Sequence, residues 1–411
     1  MKERIIQFGE GNFLRGFCDY FIHKLNEKGL YDGKIVVVQP IENGMVDALN
    51  EANGEYNLFL RGIENGEVVN EHTKVSSILR GINPYKNYDE YLELAKNPDM
   101  RFVISNTTEA GIEFVDADKL EDKPSKGFPG KLTALLYERF KTGYKGFVML
   151  PCELIDNNGD KLKKCVIKYS RLWNLGEKFE NWLETENHFC NTLVDRIVTG
   201  YPRDEIEELT QKIGYEDKLI DTAEIFHLWV IAGNFENEFP FNKAGYNIIW
   251  ADSVDLYKKR KVRILNGAHT SLVPYAMLKG LKTVGECMEN SEMKEFLKEC
   301  IFSEIIPTLD LPKAELESYA NSVLERFSNP FIKHMLSSIA LNSVSKFKVR
   351  VMPSIIEYKK RFGVYPENLM KAFDAFCEFY KTDMVNDTDE ALTFMKTHTK
   401  EEIFKELCNA D

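Results

Sequence analysis

The stretch that most constrains the fold lies at the N-terminal end of the chain, RIIQFGEGNFLRGF at residues 4–17. An apolar run followed by a glycine turn and a helix opens the doubly wound α/β folds, where the glycines permit a tight turn and close approach of a pyrophosphate. Gly9 and Gly11 can take these two roles, but Leu14 stands where a third glycine would complete the pattern. The stretch therefore suits a phosphate-binding turn and also an ordinary strand–turn–helix connection with Asn12 as N-cap.

Short apolar runs and helical patterns alternate through the first half of the chain. Phenylalanine and leucine recur every four residues from Phe13 to Leu25, which predicts one stripe of a helix. A hairpin with its turn at Asn65 and Gly66 is also predicted. The predicted buried strands lie at residues 5–8, 34–38, 101–105 and 147–150. This alternation predicts a Rossmann-like doubly wound parallel sheet.

The pattern changes near residue 258, after which long amphipathic stretches replace the β-branched runs. The chain has 411 residues, which is too long for one hydrophobic core. We therefore expect an α/β N-terminal domain at residues 1–255 that binds a dinucleotide. A mainly α-helical C-terminal domain at 256–411 is expected to carry the substrate and catalytic residues. The predicted helices of the second domain include residues 292–301, 314–326, 367–380 and 389–408.

Charge and cysteine distribution narrow the function classes. The formal net charge is −12, which disfavours nucleic acid as a general partner because phosphate contacts need clustered Lys and Arg. The 8 cysteines are scattered without a CxxC pair, which indicates reduced thiols and a cytoplasmic protein. No secretion signal or membrane segment is expected. The 7 histidines show no ligand spacing, so no metal site is expected.

The sequence after two predicted strands bears on the cofactor. The second strand ends in Gln39 where a ribose-binding acid is usual, and the first acid comes at Glu42. No Lys or Arg occurs between Gln39 and Asn50, so a 2′-phosphate would lack a partner and NAD is favoured over NADP. Asn106 and Thr107 could line the nicotinamide side of the cleft, although both are also ordinary turn formers.

A second informative stretch, RKVRILNGAHTSLVPYAMLKG at residues 260–280, contains Lys261, Asn266 and His269. On an ideal α-helix Asn266 and His269 are neighbours, while Lys261 lies about 140° from Asn266 and about 80° from His269, so all three could project toward one cleft. A lysine can protonate the oxyanion that hydride transfer creates, and an amide and an imidazole can polarise the same oxygen. The alternative is a surface lysine, a capping asparagine and a core histidine.

Taken together, these stretches resemble the polyol-specific long-chain dehydrogenases, the mannitol dehydrogenase group. The family turn G-x-G-N-F-x-R is matched by Gly9, Gly11, Asn12, Phe13 and Arg15, and its K-x-x-x-x-N-x-x-H motif by Lys261, Asn266 and His269. The blocks NTLVDRI, RFSNP and SVSKF are similar too. The resemblance implies NAD as cofactor, Arg15 and the turn amides at the pyrophosphate, Lys261 as general acid/base, Asn266 and His269 at the reacting oxygen, and no catalytic zinc.

The resemblance also bears on the substrate. Family members specific for mannitol carry an assisting asparagine where this chain has Leu154, which argues against a neutral polyol. The lysine of the SVSKF block, Lys346, faces the substrate in the family, and its charge suits the carboxylate of a sugar acid, with Arg326 as a second candidate. We therefore expect an NAD-dependent hexuronate ketone reductase. A family member acting on fructuronate, on mannitol or on a sugar phosphate stays open as an alternative. A catalytically silent NAD(H)-sensing protein and the oligomeric state stay open as well.

Overall fold

The computed structural model describes residues 1–108 and 110–409. The chain divides into two compact units. The first comprises Met1–Arg61 and Asn70–Val254, and the second comprises Gly62–Val69 together with the residues from Asp255 onward. Each unit has its own secondary structure and is described by itself.

The first unit is built on a 6-stranded sheet in the order β5-β2-β1-β6-β7-β8, in which all neighbours are parallel. The predicted buried strands are confirmed as β1, β2, β6 and β7. The strands of the chain are β1 Lys2–Phe8, β2 Gly33–Val38, β3 Tyr56–Glu64, β4 Glu67–Val75, β5 Ile78–Ile82, β6 Phe102–Ser105, β7 Val148–Pro151, β8 His188–Phe189, β9 Thr192–Asp195, β10 Asp221–Glu224, β11 Leu228–Ala232 and β12 Ile248–Ala251.

The large sheet is covered on both faces, which explains the continuous apolar runs of its strands. Successive residues of β1 enter different cores, since Ile5 packs into one hydrophobic cluster while Ile6 and Phe8 pack into the other. The doubly wound arrangement that the alternation predicted is therefore confirmed.

The remaining strands form two 3-stranded sheets, β10-β3-β4 and β12-β11-β9. The predicted hairpin is β3 and β4, and Asn65 and Gly66 at its turn both have positive φ, 53° and 81°. This is the backbone that a two-residue hairpin turn requires. Strand β10 adds to the hairpin in parallel, a pairing with no local signal in the sequence.

The helices of the first unit are α1 Asn12–Leu14, α2 Tyr20–Glu27, α3 Val46–Glu51, α4 Tyr88–Glu93, α5 Phe128–Thr142, α6 Asn158–Leu172, α7 Glu177–Glu186 and α8 Ile206–Ile213. A π-helical turn at Arg15–Asp19 joins α1 to α2. The aromatic stripe on this stretch is buried: Phe17 lies 5.0 Å from Phe13 and 5.5 Å from Trp229 between ring centroids. It holds the first helix against the sheet.

The second unit is mainly α-helical, as predicted. Its helices are α9 Asp255–Arg260, α10 Gly267–Leu278, α11 Val284–Glu289, α12 Ser291–Lys298, α13 Lys313–Phe327, α14 Leu336–Ile339, α15 Ser343–Arg350, α16 Met352–Phe362, α17 Glu367–Phe379, α18 Asp389–Thr397 and α19 Lys400–Cys408. The single helix predicted over residues 389–408 is wrong. The chain breaks at Thr399, whose side chain and Glu402 form a reciprocal capping box that starts a new helix.

Three further findings concern residues 1–108 and 110–409. No helix in this part of the chain has both the length and the apolar character needed to cross a membrane. Within the same residues, no group of three or more His, Cys, Asp or Glu side chains is placed to hold a metal ion. The cysteines are free thiols, and Cys18 and Cys152 approach each other in the core at 3.8 Å between sulfurs.

Candidate active site

The topology of the large sheet places a crevice beside the glycine turn. The chain runs from β1 to β2 on one side, and β6 pairs with β1 on the other. The order of the strands reverses at this point, and in open α/β sheets ligands bind at the carboxyl ends of the strands there. The candidates Gly9, Gly11, Asn12 and Phe13 follow β1, and Asn106 and Thr107 follow β6, so the fold brings the two groups together.

The two glycines of the turn meet different surroundings. Gly9 has a φ of +118°, and a Cβ there would stand 2.8 Å from the carbonyl oxygen of Asn106. Gly11 has a φ of −68°, and a Cβ there would meet nothing within 4 Å. Gly9 is therefore needed for the turn itself, whereas Gly11 leaves open space above the backbone.

The helix that follows Gly11 begins without a side-chain cap. Its first amides point out of the helix end, where a helix carries a partial positive charge and favours an anion. An open glycine in front of these amides fits the pyrophosphate of a dinucleotide. This chain therefore has the backbone that such a cofactor needs at this position.

Arg15 is placed inward and is 1% exposed. Its guanidinium donates to the carbonyl of Leu219 and to the side chain of Asn12, and its charge lies 5.3 Å from the ring centre of Tyr56. The expected direct contact with the pyrophosphate does not follow from this placement. Arg15 instead fixes Asn12 at the start of the helix from beneath.

Two buried acids lie near Arg15 under the turn. Burial raises the pKa of Asp19 to about 8 and that of Asp221 to about 7, although the charge of Arg15 opposes both shifts. Asp19 accepts a long hydrogen bond from Gln7 at 3.4 Å. The Tyr56 hydroxyl donates to the backbone carbonyl of Arg15 at 2.7 Å. The turn thus rests on a buried polar cluster whose ionisation falls near neutral pH.

The loop after β6 is held by a residue that the motif search missed. Glu153 is 2% exposed, and its carboxylate accepts the hydroxyl of Ser105 and both the amide and the hydroxyl of Thr107, each at 3.0 Å. Burial raises its pKa, while the bonds from Thr107 and Ser105 oppose the rise. The sequence signal that could have identified Glu153 is its position in the PCEL block, one residue before Leu154. Thr107 is therefore fixed by Glu153 rather than free to turn toward a ligand.

A cleft of about 540 Å³ opens in front of these loops, and it is lined by Phe13, Asn106, Thr108, Ala110 and Leu154. The Asn106 side chain donates to the carbonyl of Cys152 at 2.9 Å, which orients it at the cleft wall. Thr108 has a φ of +77°, a conformation rare for a residue with a Cβ, and such residues concentrate at functional sites. Leu154 is 65% exposed and gives this wall an apolar surface.

In the second unit, Lys261 and Asn266 lie at the two ends of a π-helical turn between α9 and α10. The amide of Gly267 donates to the carbonyl of Val262, five residues back. This bonding places residues five apart about one turn apart, so Lys261 and Asn266 share a side of the helix. The separation of about 140° applies to an ideal α-helix, whereas the helix is locally widened between these two residues.

His269 lies in α10, three residues after Asn266, and is half-buried. Its ring stacks on Phe327 at 4.0 Å and meets His334 edge-on at 5.1 Å between centroids. Burial and the charge of Arg326 lower the pKa of His334, which places Arg326 in the same neighbourhood. Phe327 of the RFSNP block thus packs on His269, and His334 is a neighbouring ring that the sequence analysis did not select.

Lys346 lies in α15 and is half-buried, with its ammonium donating to the carbonyl of Ile339 at 3.0 Å. Burial and the charge of Arg350 lower its pKa. Helix α15 packs close to α10 at Gly267, where a Cβ would stand 3.0 Å from the carbonyl oxygen of Arg350. Helix α15, which begins with the SVSKF block, is therefore packed against α10, the helix that carries His269.

One widened helix thus presents an ammonium, an amide and an imidazole in succession. An amide and an imidazole can donate to a single oxygen, and an ammonium can exchange a proton with it. The chemistry available to this group is the holding and protonation of an alkoxide or a carbonyl oxygen.

Two known protein domains match most of the chain. The Mannitol dehydrogenase Rossmann domain matches residues 3–243, and the Mannitol dehydrogenase C-terminal domain matches residues 253–404. The chain belongs to the mannitol dehydrogenase family. It is therefore an oxidoreductase acting on CH–OH groups, which confirms the predicted family and enzyme class.

Similar curated proteins include two altronate oxidoreductases. That of Bacillus subtilis (strain 168) is 48% identical over 401 residues, covering 96% of this chain and 83% of its own length. That of Escherichia coli O7:K1 (strain IAI39 / ExPEC) is 49% identical over 393 residues, covering 94% and 81%.

Two solved structures share the fold. A substrate-free D-sorbitol dehydrogenase matches with a TM-score of 0.81 at 23% identity. The match covers 100% of this chain and 87% of the other. A mannitol 2-dehydrogenase of Pseudomonas fluorescens, solved as a ternary complex with NAD and D-mannitol, has a TM-score of 0.71 at 22% identity with the same coverage. At this identity the likeness concerns the fold, and it confirms the predicted two-part architecture.

Proposed function

We propose that this protein is an NAD(H)-dependent reductase that interconverts the ketone of D-tagaturonate and the alcohol of D-altronate. The observation that carries the proposal is the placement of Lys261, Asn266 and His269 on successive turns of one locally widened helix. It occurs in a chain 48% identical to an altronate oxidoreductase over 96% of its length. The blocks QFGEGNFLRGF, PCELIDNNG and ILNGAHTSLVP also resemble tagaturonate reductases.

The cofactor part of the proposal is supported by the first unit. Gly9 and Gly11 shape the turn, and the uncapped helix start after Gly11 offers amides to a pyrophosphate. When bound, the nicotinamide supplies or accepts the hydride. Asn106 and Thr108 line the cleft beside the turn, and Glu153 holds Thr107 in the same loop.

The catalytic part of the proposal assigns a role to each residue of the second group. Lys261 donates the proton that neutralises the oxyanion and takes it back in the reverse direction. Asn266 and His269 donate hydrogen bonds to that oxygen, and Phe327 fixes the plane of the His269 ring. Lys346 and Arg326 supply positive charge for the substrate carboxylate.

Replacement of the proposed acid tests the mechanism. Lys261→Ala should lower turnover by about 10²- to 10⁴-fold, because general acid catalysis is removed. Binding of NADH, followed by its fluorescence, should stay unchanged. Lys259→Ala, which removes a surface ion pair with Asp310, is the matched control and should keep full activity. Near-normal turnover of Lys261→Ala would contradict the mechanism.

A substrate screen tests the specificity. NADH oxidation should be fastest with tagaturonate, compared with fructuronate, fructose and fructose phosphate. A preference for a neutral sugar would exclude the sugar-acid assignment. NADH binding in calorimetry without turnover on any of them would favour a cofactor-sensing protein instead.

The free thiols fit a cytoplasmic enzyme.

A further inference from the structure

The residue that should bind the adenosine ribose is missing from its usual place. In dinucleotide folds an acid at the end of the second strand accepts the ribose hydroxyls. Here Gln39 stands after β2, and its amide nitrogen donates to the carbonyls of Ile41 and Glu42, both at 2.9 Å. Its oxygen accepts the amide of Val46 at 3.3 Å. Gln39 is therefore used to hold the loop at residues 40–45.

A carboxylate reaches the same loop from the glycine turn. Glu10 stands between Gly9 and Gly11 and is 7% exposed. Its Oε1 accepts the amide of Met45 at 3.3 Å and occupies the space that a Cβ of Gly44 would need. The side chain thus runs from the turn after β1 toward the loop after β2.

The second oxygen of this carboxylate has no donor. Glu10 Oε2 is buried, and among residues 1–108 and 110–409 no group donates a hydrogen bond to it. Burial raises the pKa of Glu10, with the Met45 amide and the charge of Arg15 opposing the rise. An unsatisfied buried carboxylate oxygen is costly, so a ligand that brings hydroxyl donors is favoured there.

We propose that Glu10 replaces the missing acid of β2, accepts the hydroxyls of the adenosine ribose and thereby selects NAD over the 2′-phosphorylated cofactor. The inference rests on the proposed use of a nicotinamide dinucleotide. A 2′-phosphate would bring negative charge against the Glu10 carboxylate. Between Gln39 and Asn50 no Lys or Arg stands to neutralise it. Residues 41–44 form an exposed bend that lies against the carboxylate through Gly44, and binding of a ribose there requires this bend to move aside.

The test compares dissociation constants of NADH and NADPH, measured by cofactor fluorescence. Glu10→Gln keeps the shape and removes the charge. It should raise the dissociation constant of NADH by about tenfold or more, which is the loss expected for a charge-assisted hydrogen bond. The preference for NADH over NADPH should become smaller or reverse. Glu42→Gln is the matched control, because Glu42 is the first acid after β2 and is exposed. It should leave both constants unchanged.

Gly44→Ala provides a second variant that leaves Glu10 in place but displaces its carboxylate, and it should shift the NADH/NADPH ratio in the same direction. Melting temperatures establish that the variants are folded. Wild-type selectivity in both variants, or loss of selectivity in Glu42→Gln alone, would overturn the assignment of Glu10. If the wild type bound neither cofactor, the proposed function itself would fail.

Discussion

At the scale of single residues, Gly9 and Gly11 stand two positions apart and serve different purposes. Gly9 has a backbone that side chains rarely adopt and faces the carbonyl of Asn106, while Gly11 has an ordinary backbone and faces open space. The same substitution should therefore separate folding from binding.

Gly9→Ala should lower the free energy of unfolding, because both the conformation and the contact at 2.8 Å oppose a Cβ. Gly11→Ala should leave the melting temperature near that of the wild type and weaken NADH binding, because its Cβ fills the space left for the pyrophosphate. Thermal unfolding and NADH titration of both variants measure the two effects. Equal NADH affinity of Gly11→Ala and wild type would contradict the proposed cofactor site.

Asp19 gives a prediction about pH. Its pKa is raised from 3.8 to about 8 in the folded protein, so the folded state binds a proton that the unfolded state has lost. Stability from this group is full below pH 3.8 and is lost as the pH rises through about 8. Asp19→Asn cannot titrate, so its free energy of unfolding should improve relative to wild type from pH 5 to pH 8, by at most about 1.4 kcal/mol per pH unit. Urea unfolding of both proteins at these pH values measures the difference in free energy of unfolding. A difference that does not change with pH would show that Asp19 stays ionised in the folded protein.

At the scale of elements, the π-helical turn between α9 and α10 sets the spacing of the proposed catalytic residues Lys261 and Asn266. A regular helix would turn Lys261 away from Asn266, whereas the i→i+5 bonding of the widened turn reduces the angle between them. The extra residue in this turn leaves no hydrophobic signature, because it changes the bonding of the backbone and not the apolar pattern.

The packing of α15 onto α10 gives the element-scale prediction. A Cβ at Gly267 would stand 3.0 Å from the carbonyl of Arg350, and a backbone atom cannot move aside cheaply. Gly267→Ala should therefore lower stability by about 1–3 kcal/mol and reduce turnover, because the helix next to Asn266 must shift.

Gly285→Ala in α11 is the control. Its nearest atom would be 3.9 Å away, and it should be neutral or slightly stabilising. Chemical unfolding and steady-state rates measure both, and similar behaviour of the two variants would contradict the close packing.

At the scale of the whole molecule, the net charge of −12 acts on every anionic ligand. The one arginine of the glycine turn is buried beneath it, so the turn offers amides instead of exposed cations. Long-range repulsion should therefore oppose the arrival of NADH.

Screening this repulsion should raise the association rate constant of NADH. Between 0.01 M and 0.15 M salt the Debye length falls from about 30 Å to about 8 Å, which removes most interactions between distant charges. Stopped-flow fluorescence should show a rate constant that rises over this range. A rate constant that stays level or falls would contradict the expected repulsion.

Much of the fold and the family was readable from the sequence, since both rest on local patterns. Apolar runs buried on both faces marked the strands of the parallel sheet, and long amphipathic stretches marked the helical second half. The G-x-G-N-F and K-x-x-x-x-N-x-x-H spacings pointed to the family that the whole-chain comparisons confirm.

The sequence by itself thus determined the order of the elements, the helical second half and the residues chosen as candidates. Only the tertiary structure decided where those residues lie and which groups they contact. It turned Arg15 inward, clamped Thr107 with Glu153, set His334 against His269 and directed Glu10 at the loop after β2. The reason is physical: hydrophobic periodicity depends on neighbours along the chain. The partners of a buried charge come from distant segments, and only folding brings them within hydrogen-bonding distance.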